Sequence, residues 1–170
     1  MREVLQVFPG AQRALFRKYH IGGCSSCGFG PEETLVGVCE RNGDLPVDEV
    51  IEKIQQSHEE DARILLEPND LAKRLAKGED IRLVDIRSRE EFEAVQIDGS
   101  VLLTQPLMQE ILGSWDNDQR FVMIDHQGQK GLDAAAYYLG HGMPNVHALR
   151  GGIDAWSLEV DSSIRRYTLS

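Results

Sequence analysis

Four short apolar runs alternate with helical patterns in the second half of the chain, and this alternation constrains the fold more than any other feature. The runs are Ile81–Ile86, Val101–Leu103, Phe121–Ile124 and Val146–Leu149. The helical stretches cover residues 70–76, 107–112, 132–139 and 153–158. Strands that look buried and alternate with helices predict a mostly parallel sheet covered on both faces. We therefore predict an α/β fold whose functional groups collect beyond the carboxyl ends of the strands.

The first 58 residues show only helical patterns. An amphipathic stripe is formed by Val47, Val50, Ile51 and Ile54. Another helix is predicted over 11–19, and a third is predicted to start at Pro31, because proline and acidic residues favour a first turn. The polar residues 57–61 predict a hinge. We therefore predict a small all-α domain over 1–58, a linker over 59–63 and an α/β domain over 64–170.

The charge and hydropathy of the chain exclude two classes of partner. There are 28 acidic and 18 basic residues, giving a net charge of −10. A chain of this charge does not attract the negatively charged phosphates of a nucleic-acid backbone. No apolar run approaches the roughly 20 residues that a membrane span needs, and the first residues lack a signal-peptide hydrophobic region. We expect a cytoplasmic protein that binds neither nucleic acid nor membrane.

Two of the three cysteines, Cys24 and Cys27, are separated by two serines in a loop that contains four glycines. In a reducing compartment this spacing favours redox or metal chemistry. The pair could exchange thiol and disulfide, or bind zinc or an iron–sulfur cluster. Cys39 and His20 are weaker candidate ligands, because Cys39 lies on a helix face typical of a buried apolar position. The helix predicted at Pro31 would favour a thiolate near its N-terminus.

A carboxylate occupies the end of the third apolar run, where a Gly-containing loop and a helix follow. Loops of this design build a cradle of backbone N–H groups that face one side chain. The residues of this candidate site are Asp125, His126, Gln127, Gly128, Gln129, Lys130 and Gly131. We predict that hydrogen bonds from the loop lower the pKa of Asp125. Three roles are open for this carboxylate. It could hold the loop folded and do no chemistry, it could form part of a docking surface, or it could act as an acid or base with His126.

Three segments in this order resemble the rhodanese-like domain family, and the resemblance covers residues 62–160. Residues 83–92 contain Asp85 and Arg87, residues 122–130 contain the loop, and residues 145–156 contain a Gly-Gly turn and a tryptophan. The resemblance implies a parallel sheet flanked by helices. It also implies that Asp85 and Arg87 support the loop.

The family's loop opens with a cysteine that carries a persulfide, and this sequence has Asp125 in that place. Gly128 matches the family, whereas Lys130 stands where the family has arginine, and the family's Gly-His-Ile-Pro-Gly-Ala segment reads Val-Gln-Ile-Asp-Gly-Ser at 95–100. A carboxylate cannot hold a transferable sulfane sulfur. The resemblance therefore implies an inactive sulfurtransferase loop.

Residues 16–54 are similar to a small helical redox-disulfide domain associated with hybrid-cluster proteins, through the cysteine-bearing turn and the helices around it. Two hypotheses follow. The chain is an accessory or docking protein of sulfur or iron–sulfur handling, with a protein partner in sulfur transfer or cluster assembly. Alternatively, it is a thiol–disulfide or sulfurtransferase enzyme whose reactive sulfur is Cys24 or Cys27.

Overall fold

A computed structural model describes residues 1–22 and 28–168 of the chain. The chain divides into two compact units, Met1–Arg63 and Ile64–Ser170. Within the described ranges no helix combines the length and the apolar character that a bilayer crossing requires.

The first unit is helical in its described part. Its helices are α1 (Arg2–Val7), α2 (Ala11–Tyr19), α3 (Leu35–Arg41) and α4 (Val47–Ile64). The helix predicted over 11–19 is confirmed. Its Leu15 packs with Val38 of α3 and with Val50 and Ile54 of α4 in one apolar cluster. Ile51 is exposed, so the apolar stripe of α4 is narrower than its sequence pattern suggests.

Two local predictions in this unit need correction. The helix expected from Pro31 begins at Leu35, because Thr34 is its N-cap and accepts a hydrogen bond from the Gly37 N–H at 3.0 Å. Residues 59–63, expected as a linker, continue α4 instead. That stretch is polar, but its glutamate, alanine and arginine residues favour helix, and Asp61 pairs with Arg13 of α2.

The second unit is a five-stranded parallel sheet flanked by helices, as predicted. Its elements are β1 (Leu65–Leu66), α5 (Pro68–Ala76), β2 (Ile81–Asp85), α6 (Arg89–Ala94), β3 (Ser100–Leu102), α7 (Gln105–Gly113), β4 (Arg120–Ile124), α8 (Gln129–Gly140), β5 (Val146–Leu149) and α9 (Gly152–Glu159). The strand order is β1-β5-β4-β2-β3, and each neighbouring pair is parallel.

Alternate residues of the central strand β4 point into two separate apolar cores. Phe121 and Met123 pack with residues of α7 and α8 on one face, whereas Val122 and Ile124 pack with residues of α5 and α9 on the other. This double burial explains the continuous apolar run in the sequence. The register pairs Asp85 with Ile124, so the loops after β2 and β4 leave the same edge of the sheet.

Candidate functional site

The carboxylate of Asp125 lies inside the loop that follows β4. The backbone N–H of Gly128 donates to its Oδ1 at 2.7 Å, and the N–H of Lys130 donates to its Oδ2 at 2.9 Å. The Asp125 residue is only 4% exposed. Both carboxylate oxygens are therefore held by the loop's own backbone.

The direction of the pKa shift at Asp125 is opposite to the one predicted. Burial raises the pKa of this carboxyl above its ordinary value, although the backbone N–H groups of Gly131, Gly128 and Lys130 act in the other direction. The loop pattern predicts the hydrogen bonds to Asp125, but it contains no information on how deeply the side chain is buried. The effect of burial on the pKa of Asp125 is therefore larger than the combined effect of the hydrogen-bond donors.

The Gly-Gly turn at residues 151–152 and the first residues of α9 pack directly on this loop. The N–H of Ile153 donates to the Asp125 carbonyl at 2.9 Å, and the N–H of Asp154 donates to the His126 carbonyl at 3.1 Å. Gly152 has φ of +60°, and a Cβ there would lie 2.4 Å from the Asp125 carbonyl oxygen. The close approach of the two loops therefore requires glycine at this position.

Asp85 and Arg87 form a buried ion pair beside the loop. The Arg87 Nη2 donates to Asp85 Oδ2 at 2.7 Å, and Arg87 Nε lies 3.0 Å from Asp85 Oδ1. A further bond from Nη2 to the Val95 carbonyl, 2.7 Å long, fixes the chain after α6. The described contacts connect this pair to the 125–131 loop through a third residue, Tyr167.

The segment after α9, residues 161–168, covers the loop and was not predicted to belong to the site. The ring of Tyr167 stacks on His126, with centroids 4.3 Å apart and planes 13° from parallel. Its hydroxyl accepts from Arg87 Nη1 at 2.9 Å and donates to Glu91 Oε1 at 2.7 Å. Burial, aided by Glu91 and opposed by Arg87, raises the pKa of Tyr167 to about 12. Tyr167 therefore stays protonated at neutral pH.

Further contacts hold this segment in place. The Ser157 hydroxyl donates to the Ile164 carbonyl at 2.6 Å. Arg166 binds the Asp154 carboxylate through two nitrogens, at 2.6 and 2.9 Å. No sequence pattern marked residues 161–168, because they follow the last segment that carries the family resemblance.

The geometry defines what the loop can do chemically. The His126 Nε2 lies 2.9 Å from the Tyr167 carbonyl oxygen, so the tautomer protonated there donates to the backbone. Each Asp125 oxygen accepts a hydrogen bond from an amide of the loop, Oδ1 from Gly128 and Oδ2 from Lys130. Gln127, Gln129 and Lys130 are exposed and form the rim of the loop.

The predicted thiol site is only partly described. Cys24 and Cys27 lie outside the described residues. Cys39 is 1% exposed in the apolar cluster of the first unit, and burial raises the pKa of its thiol. His20 is exposed at the end of α2 with φ of +59°. Across 1–22 and 28–168, no three His, Cys, Asp or Glu side chains are arranged to hold a metal ion. The zinc or iron–sulfur site stays a prediction.

Known proteins match this chain over about half of its length, and the family match lies in the second unit. The sequence model of the rhodanese-like domain family matches residues 67–159 of this chain. A thiosulfate sulfurtransferase GlpE of Shewanella oneidensis is 30% identical over 82 residues, which are 48% of this chain and 81% of that protein. A sulfurtransferase of Allochromatium vinosum is 33% identical over 92 residues, 54% of this chain and 86% of its own length.

A solved structure supports the fold. The human single-domain sulfurtransferase TSTD1 superposes with a TM-score of 0.50 at 22% identity, covering 56% of this chain and 96% of its own. The family match extends over more than half of the sequence and coincides with the parallel sheet and the Asp125 loop. This chain belongs to the rhodanese-like domain family.

Proposed function

We propose that the chain is an accessory protein of sulfur handling. Its rhodanese-like domain carries no persulfide and docks onto a protein partner that carries sulfur. Cys24 and Cys27 accept sulfur or electrons. The sulfurtransferase names of its relatives support sulfur chemistry as the general class.

The observation that carries the proposal is the position of the Asp125 carboxylate. It is buried at the end of β4 and accepts hydrogen bonds from the Gly128 and Lys130 amides. In this family that place belongs to the sulfur of a cysteine persulfide. A carboxylate oxygen there fills the loop permanently and offers no sulfur to transfer.

The contacts of the loop favour docking over turnover. The Asp125 oxygens, the His126 imidazole and the Tyr167 hydroxyl all have partners within the domain. The side chains of Gln127 and Lys130 are exposed at the rim of the loop. In this proposal they form the surface that meets the partner, and Lys130 supplies its positive charge.

The thiol pair supplies the reactive sulfur in this proposal. A thiolate of Cys24 or Cys27 attacks the outer sulfur of a donor persulfide, a new S–S bond forms, and the donor leaves as a thiolate after its S–S bond breaks. The second cysteine can then attack the inner sulfur and release hydrosulfide as it forms a disulfide. Two equivalents of a small thiol then reduce this disulfide by thiol–disulfide exchange, become oxidised to a disulfide themselves, and restore the two cysteine thiols.

The test combines two assays. The parent chain is expected to show no thiosulfate-to-cyanide sulfur transfer above the blank. Glutathione persulfide, by contrast, should add one sulfur atom to the chain or oxidise the pair, as detected by intact-mass spectrometry. Replacing both Cys24 and Cys27 with serine should abolish this reaction, while Cys39→Ser should not. Cyanide turnover by the parent, or labelling that survives the double replacement, would refute the proposal.

The enzyme alternative is favoured by one feature, the two-residue spacing of Cys24 and Cys27. It predicts catalytic reduction of a small disulfide, with many turnovers per chain, which Cys24→Ser or Cys27→Ser abolishes. The accessory proposal predicts at most one equivalent per chain. Asp125→Cys probes the loop directly, because the gain of a persulfide at residue 125 would show that the loop still accepts sulfur.

A further inference from the structure

A second concave site lies at the sheet edge opposite the Asp125 loop. A cavity of about 420 Å³ opens at the amino ends of β2, β4 and β5 and beside the end of α5. Its polar lining residues are Arg74, Glu79, Arg120, Asn145 and His147. Its apolar lining includes Leu66, Ile81 and Val122. The volume falls within the roughly 300–1,000 Å³ of small-molecule sites.

The side chains that line this cavity carry more positive than negative groups. Arg74 is half-buried, and in the described part of the chain its guanidinium group has no hydrogen-bond or ion-pair partner. Arg120 meets the carboxylate of Glu79 at 3.2 Å, and this pair is partly exposed. His147 lines the same cavity as both arginines. Two guanidinium groups and an imidazole therefore face one carboxylate, in a chain whose net charge is −10.

We propose that this cavity binds a small organic anion whose carboxylate or phosphate group lies between Arg74, Arg120 and His147. Guanidinium groups bind such oxyanions through paired hydrogen bonds. The apolar part of the ligand would lie against Leu66 and Val122. The site is separate from the Asp125 loop and does not depend on the function proposed for it.

The pKa of His147 provides a second way to detect an anion in the cavity. Burial, and then the charges of Arg74 and Arg120, lower the pKa of this imidazole, against a backbone hydrogen bond at Asn145. The groups that face it are Arg74 from α5, Glu79 from the turn after α5, and Arg120 from β4. A bound anion would neutralise part of the arginine charge, so it should raise the pKa of His147.

Phenyl phosphate is a suitable probe, measured with the full chain by isothermal titration calorimetry. We expect saturable binding, and we expect Arg74→Gln to weaken it about tenfold, because a charge-assisted contact is lost. Glu79→Gln should act in the opposite direction, since it frees Arg120 from its internal partner. Arg165→Gln is the matched control, since it removes an arginine of the same unit outside the cavity and should leave affinity unchanged.

A second readout follows the His147 ring protons by NMR through a pH titration. Saturation with phenyl phosphate should move the midpoint upward in the parent chain and much less in Arg74→Gln. Absence of saturable binding, equal weakening by Arg165→Gln, or a loss of affinity in Glu79→Gln would overturn the proposal. Because Arg74→Gln and Glu79→Gln are expected to act in opposite directions, general loss of structure cannot imitate the result.

Discussion

Tyr167 lies flat on His126 at 4.3 Å, and the same tyrosine bonds Arg87 and Glu91 through its hydroxyl. One residue near the end of the described chain thus joins the loop after β4 to the ion pair after β2 and to helix α6. The candidate site is therefore covered by the chain's own C-terminal segment.

Replacing Tyr167 with alanine should loosen the loop. Aromatic stacking contributes about 0.5–1.5 kcal/mol, so local opening of residues 126–131 should become up to about tenfold more frequent. Hydrogen exchange followed by mass spectrometry would measure this change. Tyr167→Phe keeps the stack and should have a smaller effect. Tyr137→Ala, which removes a tyrosine that packs against His141 on α8, is the control, and equal exchange in both alanine variants would contradict the account.

Breaking the buried ion pair should cost far more stability than breaking an exposed one. The Asp85 and Arg87 side chains are 0% and 2% exposed. Asp85→Asn leaves the guanidinium without its counter-charge and should lower the free energy of unfolding by about 3–5 kcal/mol. Arg89→Ala removes an exposed pair with Glu93 and should cost less than about 1 kcal/mol. Urea unfolding of both variants measures the difference, and similar losses would be evidence against this role for the pair.

Gly152→Ala should destabilise the second unit through a clash as well as through its backbone angle. The added Cβ would meet the Asp125 carbonyl oxygen at 2.4 Å, and a fall of roughly 2–4 kcal/mol is expected from strain and displacement. Gly99→Ala is a matched control, because Gly99 also has positive φ, +78°, but no atom lies within 4 Å of its added Cβ. A similar loss of stability in both variants would show that the packing of the two loops does not matter.

The stability of the chain should depend on the protonation of Asp125. Because burial raises its pKa in the folded state, the folded chain binds this proton more tightly than the unfolded chain does. The resulting stabilisation is complete below the unfolded pKa and is lost as the pH rises through the folded value. The parent should therefore lose stability relative to Asp125→Asn as the pH increases from about 3 to 8. Urea unfolding at each pH tests this, and a relative gain of parental stability with pH would contradict it.

The sequence predicted the parallel sheet well, because strands buried on both faces leave continuous apolar runs such as Phe121–Ile124. The start of the third helix was wrong by four residues, because the Thr34 cap prevails over the favourable pattern at Pro31. Residues 59–63 were polar enough to suggest a linker, but their helix propensity continues α4.

The sequence predicts those features of the site that depend on the local sequence around Asp125, and it does not predict those that depend on distant parts of the chain. The donors around Asp125 follow from a strand that ends in a Gly-containing loop. The pKa direction depends on how deeply neighbouring elements bury the side chain, which the local pattern does not contain. Tyr167 lies 41 residues from His126 in the sequence, and no periodicity or motif links the two.

The most direct test of the central claim is NMR titration of the Asp125 carboxyl carbon together with the amide protons of Gly128 and Lys130. The account predicts that all three signals titrate with one midpoint, above the ordinary value for aspartate, because the carboxyl is buried and bound to both amides. A midpoint at or below the ordinary value, or amide protons that do not respond to it, would show that the carboxylate does not fill the loop.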